Sequence, residues 1–433
     1  MFESALAYLA SRGMGRALRH RDFALFAGFA WLSWLGLWVQ RTAVMWLTWE
    51  LTHSGVWLGA MAIGEIVPYV VFAPLAGAIS DRFDRLRIAR VAQLAATAVP
   101  FALTSCAFAG VLTVELLLVF VALSGAAETF WSAVRLAMTP NMVPKEDVGG
   151  ALSIGAMSFN VSVFVGPALF GLLITSFDVA WAFAFNTAMC ASFYAALNFV
   201  RLMVQESQTR RAKNFFAEIA EGVAYTFRHP GISIMLPMML FSSVCLRGYR
   251  DLLAGISDTV YFQGAHGLAM LLAATGIGAI VSSLYLGNVA RVKGLTFYII
   301  ANQAAAISAL VLFGLVDFFW IGLLCSAALG WTITTIGIGS QILLQTAMRG
   351  EMRGRVMSLW SINVRVGPAI GALAAGTLSE WWGFQLPLMV LGLIFLLPLS
   401  YFYRRRKHIA SYMEVGPDEA PNARPKANPR PAE

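Results

Sequence analysis

The sequence predicts an all-α integral membrane protein: twelve transmembrane helices in two pseudo-symmetric six-helix bundles. Three observations predict it. The 433 residues are 58% hydrophobic and 12% charged, about half the charge of a soluble domain, so too little polar surface exists to keep the chain dissolved. Apolar windows of about twenty residues, each long enough to cross a bilayer, recur along it. A motif in the fifth window also returns in the eleventh, six windows later.

The windows cover 23–49, 55–79, 88–109, 113–136, 149–174, 179–202, 231–252, 266–288, 295–316, 318–345, 356–378 and 383–402. Helix-breaking residues mark the joints: Thr52-His53-Ser54-Gly55, Gly110, Pro140 and Pro144, His229-Pro230-Gly231, and Gly294. Residues 1–22 read as a cytoplasmic N-terminal segment with four arginines and no removable signal peptide, so the first span is expected to be the insertion signal. Residues 23–202 form the first bundle and 231–403 the second. The linker 203–230 contains "NFFAEIAEGVAYTFRH", whose apolar and charged residues alternate at helical spacing, which predicts an amphipathic helix along the membrane surface. Residues 404–433, rich in Pro and Ala, predict a disordered cytoplasmic tail.

Charge sets the expected orientation. Of 31 Lys and Arg, 26 lie in the tails or at the loops that follow even-numbered spans, and the opposite loops have none. Basic residues near span ends stay cytoplasmic, which puts both termini in the cytoplasm. The other five, Arg41, Arg135, Arg247, Arg250 and Arg365, lie inside spans. A charge at mid-span costs about 2.5–3.5 kcal/mol on insertion scales, so these are functional candidates.

Arg41 and Glu65 lie at similar depths in adjoining spans. They are expected to face a cavity and to pair, or else to form a purely structural ion pair. Arg365 has no acid near it in sequence; it either contacts substrate or pairs with Glu128. Glu128 and Arg135 are seven apart, on one helix face. Arg247 and Asp251 are four apart, which predicts an intrahelical pair and leaves Arg250 pointing elsewhere, near the outer mouth. Trp34 and Trp38 are spaced to line a surface for flat organic molecules. The excess of cations over anions points to an anionic substrate. Protons, if they drive transport, need the deep carboxylates Glu65 and Glu128, because no histidine lies deep in a span.

The repeat pairs "NVSVFVGPALFG" at 160–171 with "NVRVGPAIG" at 363–371, and Gly77 with Gly287. Parallel halves of this kind are related by an axis along the membrane normal, with a cavity between them. At this point the chain resembles the major facilitator superfamily, over roughly residues 20 to 403. It looks most like the branch of transmembrane secretion effectors and enterobactin-exporter-like permeases, through "RHRDFALF", "VQRTAVMWLTWELTHS", "FAPLAGAISDRFDR" and "RGRVMSLW". The family's loop signature is matched by Gly77, Asp81, Arg82, Arg85 and Arg87, with Asp84 where a second glycine is usual. The resemblance implies a cytoplasmic gate, in which Asp81 latches onto the start of the eleventh span near Arg353 or Arg355.

Ser162, Gly166, Pro167 and Gly171 partly match the antiporter motif of the fifth span, with Phe170 replacing a glycine. Gly367 and Pro368 repeat it in the eleventh. The motif implies either a seal against leak or ordinary close helix packing. Val121 stands where the antiporter signature has an arginine, which weakens a proton-antiport reading.

Four scattered cysteines, without a CxxC pair, exclude a metal or disulfide framework. No phosphate-binding GxxxxGK[ST] loop occurs. The sequence therefore predicts no enzyme, no cofactor and no nucleic-acid partner. It predicts a monomeric secondary transporter working by alternating access on a small-molecule substrate in the lipid bilayer. Export of a small organic metabolite, siderophore-like compound or drug, with protons as a candidate coupling ion, stands beside two alternatives: a proton-coupled importer of a small anionic solute, and a membrane sensor or assembly partner that moves nothing.

Overall fold

The computed structural model describes residues 13–202, 215–289, 292–348, 350–416 and 421. Twelve helices among them are long and apolar enough to cross a membrane. The first six are α1 (Arg21–Thr52), α2 (Gly55–Arg82), α3 (Arg85–Phe108), α4 (Val114–Met138), α5 (Val148–Ser176) and α6 (Val179–Ala196). The second six begin with α7, Ile232–Arg247, carried on through a 3-10 turn at Gly248–Leu252 and a helix at Leu253–Thr259. They continue as α8 (Gly264–Val289), α9 (Leu295–Leu315), α10 (Phe319–Ala347), α11 (Gly350–Trp382) and α12 (Gln385–Ile394, continuing as Leu396–Met413). The face on which α1 begins and α12 ends is called the terminal face below, and the other the far face.

Local chemistry marks several of the predicted joints. His53 takes the left-handed conformation (φ 45°) and Ser54 caps α2, accepting from the Trp57 N–H at 3.5 Å. Asp84, the residue in place of the family's second glycine, caps α3 by accepting from the Arg87 N–H at 2.7 Å. Thr113 caps α4, and Gly294 (φ 89°) opens α9.

The two halves repeat each other in contact as well as in order. The pairs α1–α5, α2–α4, α3–α4 and α3–α6 recur as α7–α11, α8–α10, α9–α10 and α9–α12. Gly125 of α4 lies on the backbone of Glu65, and Gly330 of α10 on that of Thr275; Gly166 of α5 lies on Trp38, and Gly367 of α11 on Ser243. Small residues let helices approach this closely.

Between the halves, α2 packs on α11 and α5 on α8. These contacts sit toward the far face. Gly55 and Gly59 meet Gly376 and Leu373, Gly171 meets Ala269, and Gly276 meets Phe164. On the terminal side, Gly77 of α2, Gly149 of α5, Gly287 of α8 and Gly354 of α11 face open space. One apolar core joins both halves, while a second, around Phe23, Phe26, Trp131 and Phe193, stays within the N-terminal half on the terminal side. Among the described residues, the close glycine contacts between the halves thus gather toward the far face, and these four glycines of the terminal face stand clear.

Two sequence expectations change. α7 continues to Thr259, beyond the expected end at 252, because its 3-10 turn is buried within the bundle. The expected tail from 404 is helical as far as Met413, and residues 417–420 and 422–433 lie outside the described residues. Ile409, Tyr412 and Met413 are buried, and the Glu414 carboxylate accepts from the N–H groups of Gly294 (2.6 Å) and Thr296 (2.9 Å) at the start of α9. Composition gave the disorder expectation; buried side chains and this long-range cap override it. Glu414→Ala is expected to cost about 1 kcal/mol, as loss of a helix cap does, read as a fall of about 1 °C in the melting midpoint of the purified protein.

The linker helix is Phe215–Arg228, and residues 203–214 lie outside the described residues. From Glu221 onward it packs on α11, where Glu221 pairs with Arg355 at 2.6 Å. His229 ends it: Nδ1 accepts from the Gly231 and Ile232 N–H groups, both at 3.3 Å, and burial holds the imidazole below its ordinary pKa, in the neutral form this acceptor role requires.

Candidate functional site

A cluster of charged and aromatic side chains lies at mid-span, where the halves meet. Arg41 of α1 pairs with Glu65 of α2. The Arg41 guanidinium also stacks over Trp38 at 4.8 Å, and Arg250, from the other half, stacks over the same ring at 4.9 Å. Arg365 of α11 lies over Tyr69 of α2 at 4.2 Å, and Arg135 of α4 over Trp34 at 4.7 Å. Phe159 of α5 stands edge-on to both Trp34 (5.6 Å) and Trp38 (5.9 Å). Glu128 lies within electrostatic reach of Arg41, Arg135 and Arg365, and Asp251 within reach of Arg250 and Arg41.

Four guanidiniums and three carboxylates thus share one region with four aromatic rings. Cations over aromatic faces are held by the ring quadrupole, and a charged group in a bilayer persists only with such partners. Two of the ring contacts, Arg250 on Trp38 and Arg365 on Tyr69, cross between halves.

Behind Trp34, inside the N-terminal half, a polar pocket reaches Glu128. The Asn186 side chain donates to the Gln40 carbonyl oxygen (2.7 Å), and Gln93 donates to the backbone oxygen of Cys190 (3.1 Å). The Ser124 hydroxyl, buried at this pocket, has no hydrogen-bond partner in the structure.

The far face is closed by hydrogen bonds between halves. The Trp49 indole N–H donates to Asp258 at 2.9 Å, and Glu380 accepts from the Ser54 hydroxyl (2.7 Å) and the Val56 N–H (3.3 Å). Trp49 also meets Phe384 edge-on at 5.5 Å.

Most of the intramembrane residues named from sequence come together: Arg41, Glu65, Glu128, Arg250, Arg365, Trp34 and Trp38. One expected pair does not form. Asp251 lies with Arg250 and Arg41 rather than Arg247, because the 3-10 turn at Gly248–Leu252 interrupts the α-helical i,i+4 spacing. Arg250, expected near the outer mouth, lies over Trp38 instead. Sequence reasoning missed Tyr69, Phe159, Asp258 and Glu380. Only the charge of the two acids could have flagged them, and both lie next to span ends, where acids are ordinary.

The expected gate is a separate region. Gly77 faces open space, and the Asp81 and Arg82 side chains lie outside the described residues. Asp84 holds the Arg87 N–H, and Arg85 follows it at the start of α3. Of the expected receivers, Arg355 pairs with Glu221 at 2.6 Å, and Arg353 donates to the Gln345 backbone oxygen at 3.1 Å. In the fifth-span motif, Gly166 and Gly171 sit in close helix contacts, Phe170 is fully buried, and the Ser162 hydroxyl donates to the Ser158 oxygen at 2.9 Å. Pro167 and Pro368 lie inside continuous helices.

A family model described as "transmembrane secretion effector" matches residues 16–421. The enterobactin exporter EntS of Escherichia coli O1:K1 is 24% identical over 381 residues, covering 83% of this chain and 86% of the relative. That of Shigella boydii serotype 4 is 24% identical over 386 residues, covering 82% and 86%. Among solved structures, the nucleoside transporter NupG matches with a TM-score of 0.69 at 12% identity, covering 89% of this chain and 98% of its own. A bacterial homologue of the lysosomal transporter Spinster, inward-facing and unoccupied, matches with a TM-score of 0.62 at 12% identity, covering 91% and 98%. At these identities the solved structures bear on the fold alone, and that fold is the one built above. With the family match spanning nearly the whole helical bundle, the chain belongs to the transmembrane secretion effectors of the major facilitator superfamily and is a multi-pass membrane transporter, not an enzyme.

Proposed function

We propose that the protein exports a small organic molecule bearing negative charge and a flat ring, by alternating access, across a bacterial inner membrane with both termini in the cytoplasm. The observation that carries this reading is the mid-span cluster, in which guanidiniums from both halves lie on aromatic rings. A carboxylate can bind Arg365 and Arg250 while the ring system stacks against Trp38, Tyr69 or Phe159. The terminal face, where Gly77, Gly149, Gly287 and Gly354 stand clear, is then the cytoplasmic entrance. The kinship with EntS supports the outward direction. Glu65 and Glu128 are the carboxylates placed to exchange protons for cargo, and one copy of the chain holds the whole cluster.

Untargeted metabolomics of cells and medium tests this without a guess at the cargo. In a deletion strain, at least one anionic metabolite is expected to rise in cells and fall in the medium. Wild-type protein restores its export, and Arg365→Ala restores less than about a tenth of it, since losing one charged contact of about 1.5–3 kcal/mol is worth roughly ten-fold or more. No changed metabolite, or full restoration by Arg365→Ala, contradicts the reading; a compound that instead stays in the medium identifies an importer.

A further inference from the structure

Arg247 is the intramembrane arginine that the cluster leaves over. It sits near the middle of α7 and its continuation, twelve residues before the end at Thr259. Among the described residues, no carboxylate lies within salt-bridge distance of its guanidinium. The charged side chain acting on it among the described residues is another cation, Arg250. Arg247 is half-buried, and a guanidinium drawn partly out of water with no carboxylate beside it favours an anion that can reach it.

The surroundings fit that anion. Arg247 lines a pocket inside the C-terminal half with Ser242, Ser243, Ser340 and Trp360, between α7, α10 and α11. Ser242 and Ser243 are buried, and the Trp360 indole N–H donates to the Ser340 hydroxyl at 3.2 Å. Every polar group named here is a cation, a hydroxyl or an N–H donor, and none is an acid. The space holds about one water-sized group, so it suits one end of a ligand rather than the whole.

The pseudo-symmetry sharpens the contrast. Gly125 corresponds to Gly330, which places Ile333 at the equivalent of Glu128. Ile333 lines the Arg247 pocket. The N-terminal half therefore has an acid in its interior pocket, and the C-terminal half has a base in its own. Val364, next to Arg365, lines the same pocket, so it adjoins the mid-span cluster.

We propose that Arg247, with Ser242 and Ser243, forms an anion subsite in the C-terminal half that takes a carboxylate group of the transported molecule. This rests on the anionic-substrate reading above and gives that reading a specific residue. Arg247 binds one carboxylate oxygen, the single water-sized group the space admits, through its N–H donors beside the serine hydroxyls. The adjoining Arg365 and Arg250 remain for the rest of the cargo.

The test uses the purified full-length protein and no transport, so its failure is separable from failure of the export reading. Melting midpoints are measured in a buffer whose only anion is a bulky sulfonate, then with benzoate or chloride added. Benzoate near saturation is expected to raise the wild-type midpoint by about 2–4 °C, and chloride by less than half as much. Arg247→Leu is expected to melt higher than wild type in the sulfonate buffer, because an uncompensated charge is gone, and to lose the benzoate response. Ser243→Ala, a milder change, keeps the fold and reduces the response. The proposal is overturned by an unchanged benzoate shift in Arg247→Leu, by a shift produced by chloride and not by benzoate, or by an Arg247→Leu protein that melts lower than wild type with its response intact.

Discussion

Replacing Glu65 with alanine is expected to lower the melting midpoint by roughly 2 °C and to abolish export. The variant leaves the Arg41 guanidinium beside Glu128, Arg250 and Arg365 with one carboxylate fewer. Breaking a fully enclosed ion pair costs about 3–5 kcal/mol. Here the two side chains keep 29% and 30% of their surface exposed, so water screens part of the loss and about 2 kcal/mol is the better figure, converted at about 1 °C per kcal/mol for a chain of this length. Arg41→Leu combined with Glu65→Leu removes both charges and is expected to regain most of the midpoint, because apolar residues replace a buried pair at little cost. Export does not return, since the cavity has then lost a guanidinium that stacks on Trp38. Differential scanning fluorimetry beside the metabolite assay separates the two effects. A double variant that melts as low as Glu65→Ala would show that shape, rather than charge, governs this position.

The second large effect is expected at the far face. Asp258→Ala with Glu380→Ala deletes the acceptors for the Trp49 indole, the Ser54 hydroxyl and the Val56 N–H. Hydrogen bonds to charged groups are worth about 1.5–3 kcal/mol each. Glu380 is exposed, so most of the effect comes from Asp258. A combined loss of about 1.5–3 kcal/mol moves the closed-to-open ratio by roughly ten- to a hundred-fold. Leu373, packed against Gly59 at this seam, reports it. With Leu373→Cys in a background lacking the four native cysteines, alkylation from the far side is expected to speed up at least about ten-fold. An unchanged rate would mean that the glycine-packed helix contacts alone keep this face shut.

Much of this was legible in the sequence, and the reasons differ between elements. Spans are readable because hydrocarbon thickness fixes their length, and the joints because Ser54, Asp84, Thr113 and Gly294 each perform a local capping or turning task. The repeat is readable because Gly166 and Gly367 must both admit a neighbouring helix. Arg41, Glu65, Glu128 and Arg365 stand out because charge in an apolar window is costly. What hydropathy does not carry is rotation about the helix axis, so nothing marked Tyr69 or Phe159 as facing the cavity rather than lipid. The α-helical spacing rule paired Arg247 with Asp251, but a buried 3-10 turn reset the register. Tail composition hid the helix to Met413, which depends on a cap supplied to α9 from more than a hundred residues away.

The central claim is that the two halves rock about the charged cluster, so that closing one face opens the other. Spin-label distances across both faces test it most directly. One pair is placed at Leu51 and Trp381 on the far face, the other at Phe83 and Ser358 on the terminal face, all exposed positions. In wild type the far pair is expected to be short and the terminal pair long; in the Asp258→Ala, Glu380→Ala background the far pair lengthens as the terminal pair shortens. Distances that stay fixed on both faces, or that lengthen together, would contradict the account.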